Sequence, residues 1–299
     1  MDRNLDVRPE KNNPFAILGV LVLVLGVVGV VALTGRALTP VRGIAQPAPD
    51  ALARAASPEP PRPAEPTDSA EPEATGGLLG EGVVLAGVAC ELPGLGGSDE
   101  QLTAFYSAAL TCLDTAWEPV LTSTGATFAE AGIEIASDAA SSCGEVPGAD
   151  EATAFYCGAD SVIHMPKARI MDYLGLYEPA HLGVLAHEYG HHVQQLSGTL
   201  MSAGLRSGLS GPGSELDLEI TRRIELQANC LAGLFLAAAS GRGDISEDEA
   251  RAAVADFANS IDSDTHGTLA NQIRWAEIGF EGNGTAACDT WTVPAADVA

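Results

Sequence analysis

Basic residues are scarce in this chain. Of its 299 residues only 15 are Lys or Arg, against 40 Asp or Glu, giving a formal net charge of −25, and Lys11 and Lys167 are the only lysines. So acidic a surface repels phosphate backbones and argues against nucleic acid as a partner. No Cys-x-x-Cys pair suggests a zinc knuckle, and no acidic run has the spacing of a calcium loop. The six cysteines, at 90, 112, 143, 157, 230 and 288, form an even set that three disulfides would use up. The sequence by itself leaves every pairing open.

Charged and strongly polar side chains are missing altogether from Phe15–Leu33. At about 1.5 Å per residue these nineteen residues are long enough to cross a hydrocarbon core roughly 30 Å thick. The run is longer than a usual signal h-region, and the nearest small-residue site, Gly43-Ile44-Ala45, lies well beyond it. An uncleaved anchor is therefore expected at 15–35, after a short N-terminal segment at 1–14. Arg and Lys flank both sides and hardly decide orientation. Disulfides persist outside the reducing cytoplasm, so the N-terminus is placed in the cytoplasm and the bulk of the chain outside. Residues 36–77 hold nine of the eighteen prolines and no large apolar residue after Leu52. This is the composition of a disordered, semi-rigid spacer.

The globular part is expected over 78–291, with a tail at 292–299, and reads mainly as helix. Ser98 with Gln101, and Ser246 with Glu249, have the form of capping boxes. The first opens a helix through Leu110 and Trp117 that Pro119 should end or kink. Ile133–Ala136 and Ser161–Met165 have the pattern of short strands. The second, carrying His164, is expected to be an edge strand beside the helix that carries His187 and His191. Pro166 suits the start of a short helix over Lys167–Leu176. Five glycines between Gly198 and Gly213 predict a flexible connector. A long helix follows from Ser214 or Glu215 to about Ala239, and Thr268 is positioned to cap the last one.

The distinctive stretch is His187-Glu188-Tyr189-Gly190-His191. Imidazoles four residues apart on a helix lie about 40° from each other and reach one metal ion, while Glu188 sits one step round, able to reach a water on that ion without binding it. Apolar Leu182, Val184, Leu185 and Ala186 indicate that this helix is partly buried. On the long helix, Glu225 and Asn229 stand among Ile224, Leu226, Leu231 and Phe235, so both should face protein. A buried carboxylate needs a partner, either a metal ion or Arg222 or Arg223.

Three blocks together resemble the putative neutral zinc metallopeptidase family, whose members are zincin-like. LAHEYGHHVQ is similar to its metal helix, IELQANCLAG to its third-ligand helix, and THG followed by IRW and GF to its C-terminal signature; SSCG at 141–144 and FYC at 155–157 also fit. The resemblance runs from about Ser141 to Phe280. It implies an α+β, mainly α, fold with a small sheet, one zinc ion per chain on His187, His191 and Glu225, and Glu188 as general base. His266, in the THG signature, is a candidate for stabilising the oxyanion. Where the family usually has aspartate orienting a ligand histidine, this chain has Asn229, which accepts the same hydrogen bond but brings no charge. The family pattern implies a Cys143–Cys157 disulfide, which leaves Cys90 with Cys112 and Cys230 with Cys288 as remaining partners. The expected function is a membrane-anchored, extracytoplasmic zinc metallopeptidase acting on peptide or protein substrates. The alternative is a zinc-stabilised binding or scaffold module of the cell envelope with little or no turnover.

Overall fold

The computed structural model describes residues 77–137, 140–144, 146–148, 152–282 and 284–299. The expected N-terminal segment at 1–14, the expected anchor at 15–35 and nearly all of the expected linker lie outside the described residues. Among those that are described, no helix is long and apolar enough to cross a membrane.

The order of elements is helix α1 (Asp99–Ser123), strands β1 (Gly132–Glu134), β2 (Phe155–Cys157) and β3 (Val162–His164), then helices α2 (Lys167–Tyr173), α3 (Glu178–Leu196), α4 (Thr199–Ser210), α5 (Glu215–Ala239), α6 (Glu247–Ala255) and α7 (Leu269–Glu281). Short 3-10 turns occupy Asp256–Asn259, Thr285–Cys288 and Ala295–Val298. The described part is thus α+β and mainly helical. Helix α5 is its centre: residues from Ile220 to Ala239 are buried round nearly the whole circumference, with α3 on one side and α7 on another.

Helix starts follow local chemistry. Ser98 and Ser246 each accept from the backbone N–H three residues on, while the Gln101 and Glu249 side chains reach back to the cap. Ser214 and Thr268 cap α5 and α7 through one such bond each. Pro119 does not end α1. The helix runs on to Ser123 because Val120 and Leu121, beyond the proline, are buried, and burying two large apolar side chains offsets the roughly 3 kcal/mol that an internal proline costs.

Two further expectations are corrected. The glycine-rich stretch after Gly198 is the helix α4, which begins after Gly198 at φ +82° and packs Leu200 and Ala203 inward. Second, β3 is the central strand of the sheet. It pairs parallel with β1 and antiparallel with β2, so its main-chain groups are committed on both sides. The edge strand lying against α3 is β2, too short and too uniformly buried to show an alternating pattern. His164 on β3 stacks on Phe155 with ring centroids 4.4 Å apart, and burial holds its pKa down.

The cysteines pair Cys90–Cys112, Cys143–Cys157 and Cys230–Cys288, and none is free. The last bridge ties α5 to the segment after α7. Near it the helices touch backbone to backbone, since a Cβ at Gly279 would collide with the Cys230 carbonyl. The C-terminal residues belong to the packed body: Val298 is fully buried, and Arg222 and Arg223 of α5 donate to the carbonyls of Val298 and Val293.

Behind the motif helix, the Tyr189 hydroxyl donates to Asp114 Oδ1 at 2.6 Å. Burial pushes the Asp114 carboxyl up to about 6, against the Tyr189 bond and with help from Glu130 and Glu118. A carboxyl raised on folding stabilises the fold fully below its unfolded pKa near 3.8, and this contribution is lost as pH rises through about 6. Asp114→Asn keeps the acceptor without the charge. It should therefore raise stability at pH 8 by about 1 kcal/mol, discounted because the group is partly solvated, and change it little at pH 4. Urea midpoints at the two pH values check this; an equal shift at both would remove ionisation as the cause.

Candidate metal centre

Gly190 sets the distance between α3 and α5. A Cβ there would stand 3.0 Å from both Cα and O of Ala228, so the bare glycine lets the helices close up. Glu225, one turn before Ala228, is thereby brought under the two histidines. Its Oε2 lies 3.3 Å from His187 Nε2 and 3.2 Å from His191 Nε2, and the two nitrogens are 3.2 Å apart. Donor atoms about 2.1 Å from a tetrahedral zinc stand roughly 3.4 Å from one another. The triangle is close to that size, and these three residues could hold a metal ion.

The rings are turned for the purpose by what lies behind them. His187 Nδ1 faces Asn229 Oδ1 at 2.7 Å, and Asn229 Nδ2 donates to the Gln272 carbonyl, which settles which way the amide points. His191 Nδ1 faces Gln194 Oε1 at 2.9 Å, and Gln194 Nε2 donates to the Ile224 carbonyl and to Gln227 Oε1. Each Nδ1 therefore carries the proton, and each Nε2 presents a lone pair to Glu225. Both carboxylate oxygens of Glu225, 1% exposed, find no hydrogen-bond donor although the Nε2 atoms are near. Two lone pairs and a carboxylate facing one another require a cation or a proton between them. Burial draws His191 down, but Glu225 overrides it and pushes the ring up to about 9 when no metal is present. Glu225, in spite of burial, is held well below the usual carboxylate range by His191 and His266. The donor set fits zinc.

Glu188 is 6% exposed and stands outside that set. Its carboxylate accepts from the Tyr156 backbone N–H on β2; burial raises its pKa, against the pull of His187 and His191. His266 sits on the turn Ser263–Gly267, part-exposed, with Nε2 3.4 Å from Glu225 Oε2, and is not one of the three clustered donors.

Residues 90–291 match the profile of the putative neutral zinc metallopeptidase family. The chain belongs to that family. Among the relatives of this chain, the uncharacterized protein YpfJ of Escherichia coli K12 is 29% identical over 157 residues, which is 46% of this chain and 53% of the relative. The uncharacterized protein Rv2575 of Mycobacterium tuberculosis H37Rv is 28% identical over 184 residues, 50% of this chain and 58% of the relative. The matched part spans little more than half the length of either. No solved structure matches this member of the family.

Of the residues singled out in the sequence, His187, His191 and Glu225 form the cluster, Asn229 stands behind His187, and His266 lies 3.4 Å from Glu225. Sequence reasoning missed Gln194, although a glutamine three residues after a histidine on one helix is a readable neighbour. Gln227, Gln272 and the Tyr156 N–H come from distant segments and carry no local signal.

The geometry also explains why residue 229 is an amide. Aspartate there would still accept from His187, but would turn a second oxygen toward the Gln272 carbonyl. Asn229→Asp should tighten zinc by about 10-fold through a more basic ligand. It should also lower stability by about 1–3 kcal/mol through the lost donor. Zinc competition and urea midpoints measure the two effects; weaker zinc binding with unchanged stability would contradict the account.

Proposed function

We propose that the chain is a membrane-anchored, extracytoplasmic zinc metallopeptidase that hydrolyses peptide bonds, with His187, His191 and Glu225 as ligands and Glu188 as general base. The observation that carries this reading is the triangle of donor atoms at zinc-like spacing round a buried carboxylate with no donor of its own. Zinc held there supplies a Lewis acid for the scissile carbonyl and lowers the pKa of the attacking water. Glu188, buried and raised, accepts that water's proton and returns it to the leaving amine. His266, whose Nε2 is 3.4 Å from Glu225 Oε2, is the side chain we assign to donate to the carbonyl oxygen as negative charge develops on it. Edge strand β2, whose Tyr156 N–H already reaches Glu188, is the strand available for pairing with an extended substrate.

Two sequence features support the location. Phe15–Leu33 is an uncharged run of spanning length, and every cysteine is paired, as an oxidising compartment favours. Residues 36–77 then serve as a spacer between bilayer and enzyme.

Metal analysis of the full chain should find about one zinc, with peptide cleavage lost on chelation and restored by zinc. Because His191 must give up its proton to bind, zinc affinity should fall about tenfold per pH unit for each proton displaced below pH 9. Zinc binding without cleavage would leave the scaffold module as the reading; a folded chain that takes up no zinc would remove both.

A further inference from the structure

His192 follows the second histidine of the triangle on α3, is 0% exposed, and is not one of the clustered donors. Its two ring nitrogens meet two different parts of the sheet. Nε2 donates to the Ala129 carbonyl at 2.8 Å, in the lead-in to β1, and Nδ1 accepts from the Tyr156 hydroxyl of β2 at 3.0 Å. A carbonyl only accepts, so the ring hydrogen is on Nε2 and Tyr156 is the donor to Nδ1. Burial pushes the Tyr156 hydroxyl up to about 12, so it keeps its proton. The Tyr189 ring, tied to α1 through Asp114, meets the His192 ring edge-on with centroids 5.2 Å apart. Ser161, whose φ of +59° is in the left-handed region, stands in the β2–β3 turn with its side chain bonded to the same Tyr156 hydroxyl.

The main chain indicates what this arrangement holds in place. The Ser161 carbonyl accepts from the Gly132 N–H at 2.8 Å and the Met165 N–H donates to the Glu134 carbonyl at 2.7 Å, so residues 161, 163 and 165 turn their main-chain groups to β1. Val162 and His164 turn theirs to β2, opposite Cys157 and Phe155. Tyr156 lies between those two, opposite Ile163, so its N–H and its carbonyl both stand on the free edge of the sheet. The N–H goes to Glu188. The carbonyl is the acceptor that this edge offers next to it.

We infer that His192 is a positioning residue for substrate binding: it fixes Tyr156 of the edge strand against the motif helix, so that the Tyr156 carbonyl meets the N–H of an extended peptide beside Glu188. Glu188 and His192 are four residues apart on one face of α3, and they hold Tyr156 by its backbone and by the tip of its ring. Through Ala129 the same imidazole also fixes the approach to β1, at the opposite edge of the sheet. A three-residue strand makes few bonds to a peptide, and a misplacement of about 1 Å costs up to about 100-fold in rate. The placement of Tyr156 is independent of catalysis, while its use by a substrate rests on the peptidase reading.

Amide hydrogen exchange of the full chain tests the placement. Tyr156→Phe keeps the ring and removes only the hydroxyl; His192→Phe keeps an aromatic ring and removes both polar contacts. In each, Phe155–Cys157 should exchange at least about tenfold faster while Glu215–Ala239 is unchanged. The double variant should exchange no faster than His192→Phe, and Tyr156→Phe carries the test by itself if His192→Phe does not fold. Unchanged exchange at β2 overturns the inference whether or not peptides are cleaved. Cleavage tests the use. Wild type should cleave an octapeptide with kcat/KM at least about tenfold above that for its counterpart N-methylated at every amide but the scissile one, and each variant should narrow that ratio at least about threefold with zinc content unchanged. A plain loss of folded enzyme lowers both rates together and keeps the ratio. A kept ratio with faster exchange, or a wild type indifferent to N-methylation, would take Tyr156 out of substrate binding and overturn the positioning role. A wild type that cleaves neither peptide removes the peptidase reading and this use of Tyr156 with it.

Discussion

Glu188→Gln should lower peptide cleavage by about 10²–10⁴-fold while the chain keeps its zinc. Glutamine has nearly the same shape, and its amide oxygen still accepts from the Tyr156 N–H that now binds the carboxylate. Helix α3 and its contact with β2 therefore survive. The variant loses only the ability to take up a proton beside the two histidines. Burial raises the Glu188 pKa, and a base works only when ionised, so wild-type kcat/KM should fall as pH drops through a value above the ordinary carboxylate range. Residual cleavage by the variant should lack that acidic limb. Equal rates for the two proteins, with zinc present in both, would remove Glu188 from the mechanism.

Glu225→Ala should abolish zinc binding, with a loss greater than the 10–100-fold typical of substitutions one bond further out. The carboxylate is the charged member of the triangle and is 1% exposed, so nothing from solvent replaces it. A thermal melt separates this variant from the previous one. A ligand that binds only the folded chain at a thousand times its Kd stabilises it by about 4 kcal/mol, or roughly 8–16 °C for a domain of this size. Wild type and Glu188→Gln should both show that rise when zinc is added; Glu225→Ala should show none. The alanine variant also loses the charge that holds His191 above its ordinary range. Its melting temperature in chelator should accordingly depend less on pH between 6 and 9. An unchanged zinc-induced rise in Glu225→Ala would exclude this residue as a ligand.

Most of the centre was legible because each component lies on a helix with its own local signature. HEYGH puts two histidines and a carboxylate on adjacent turns, Ser214 and Thr268 cap within three residues, and Glu225 stands out as a charge among apolar neighbours. What was illegible depends on packing between distant segments. Whether β3 is an edge or a centre is decided by a partner thirty residues earlier, with Gly132 set against Val162. Continuation of α1 past Pro119 follows from what Val120 and Leu121 bury, which a count of helix breakers omits. The five glycines after residue 197 outvoted a four-residue spacing of Met201, Leu205 and Leu209 that was there to be read as helix. The parts played by Gln227 and Gln272 were invisible because they meet the side chains behind the rings from segments distant in sequence. The six cysteines gave no pairing on their own, and the family pattern supplied the first.

The three bridges join the first cysteine to the second, the third to the fourth and the fifth to the sixth. A polypeptide threaded through a membrane from its N-terminal end exposes its thiols to an oxidant one after another. In this chain each second arrival is the native partner of the thiol just before it. On the export proposed above, first-come oxidation would yield the native set without reshuffling of wrongly joined sulfurs.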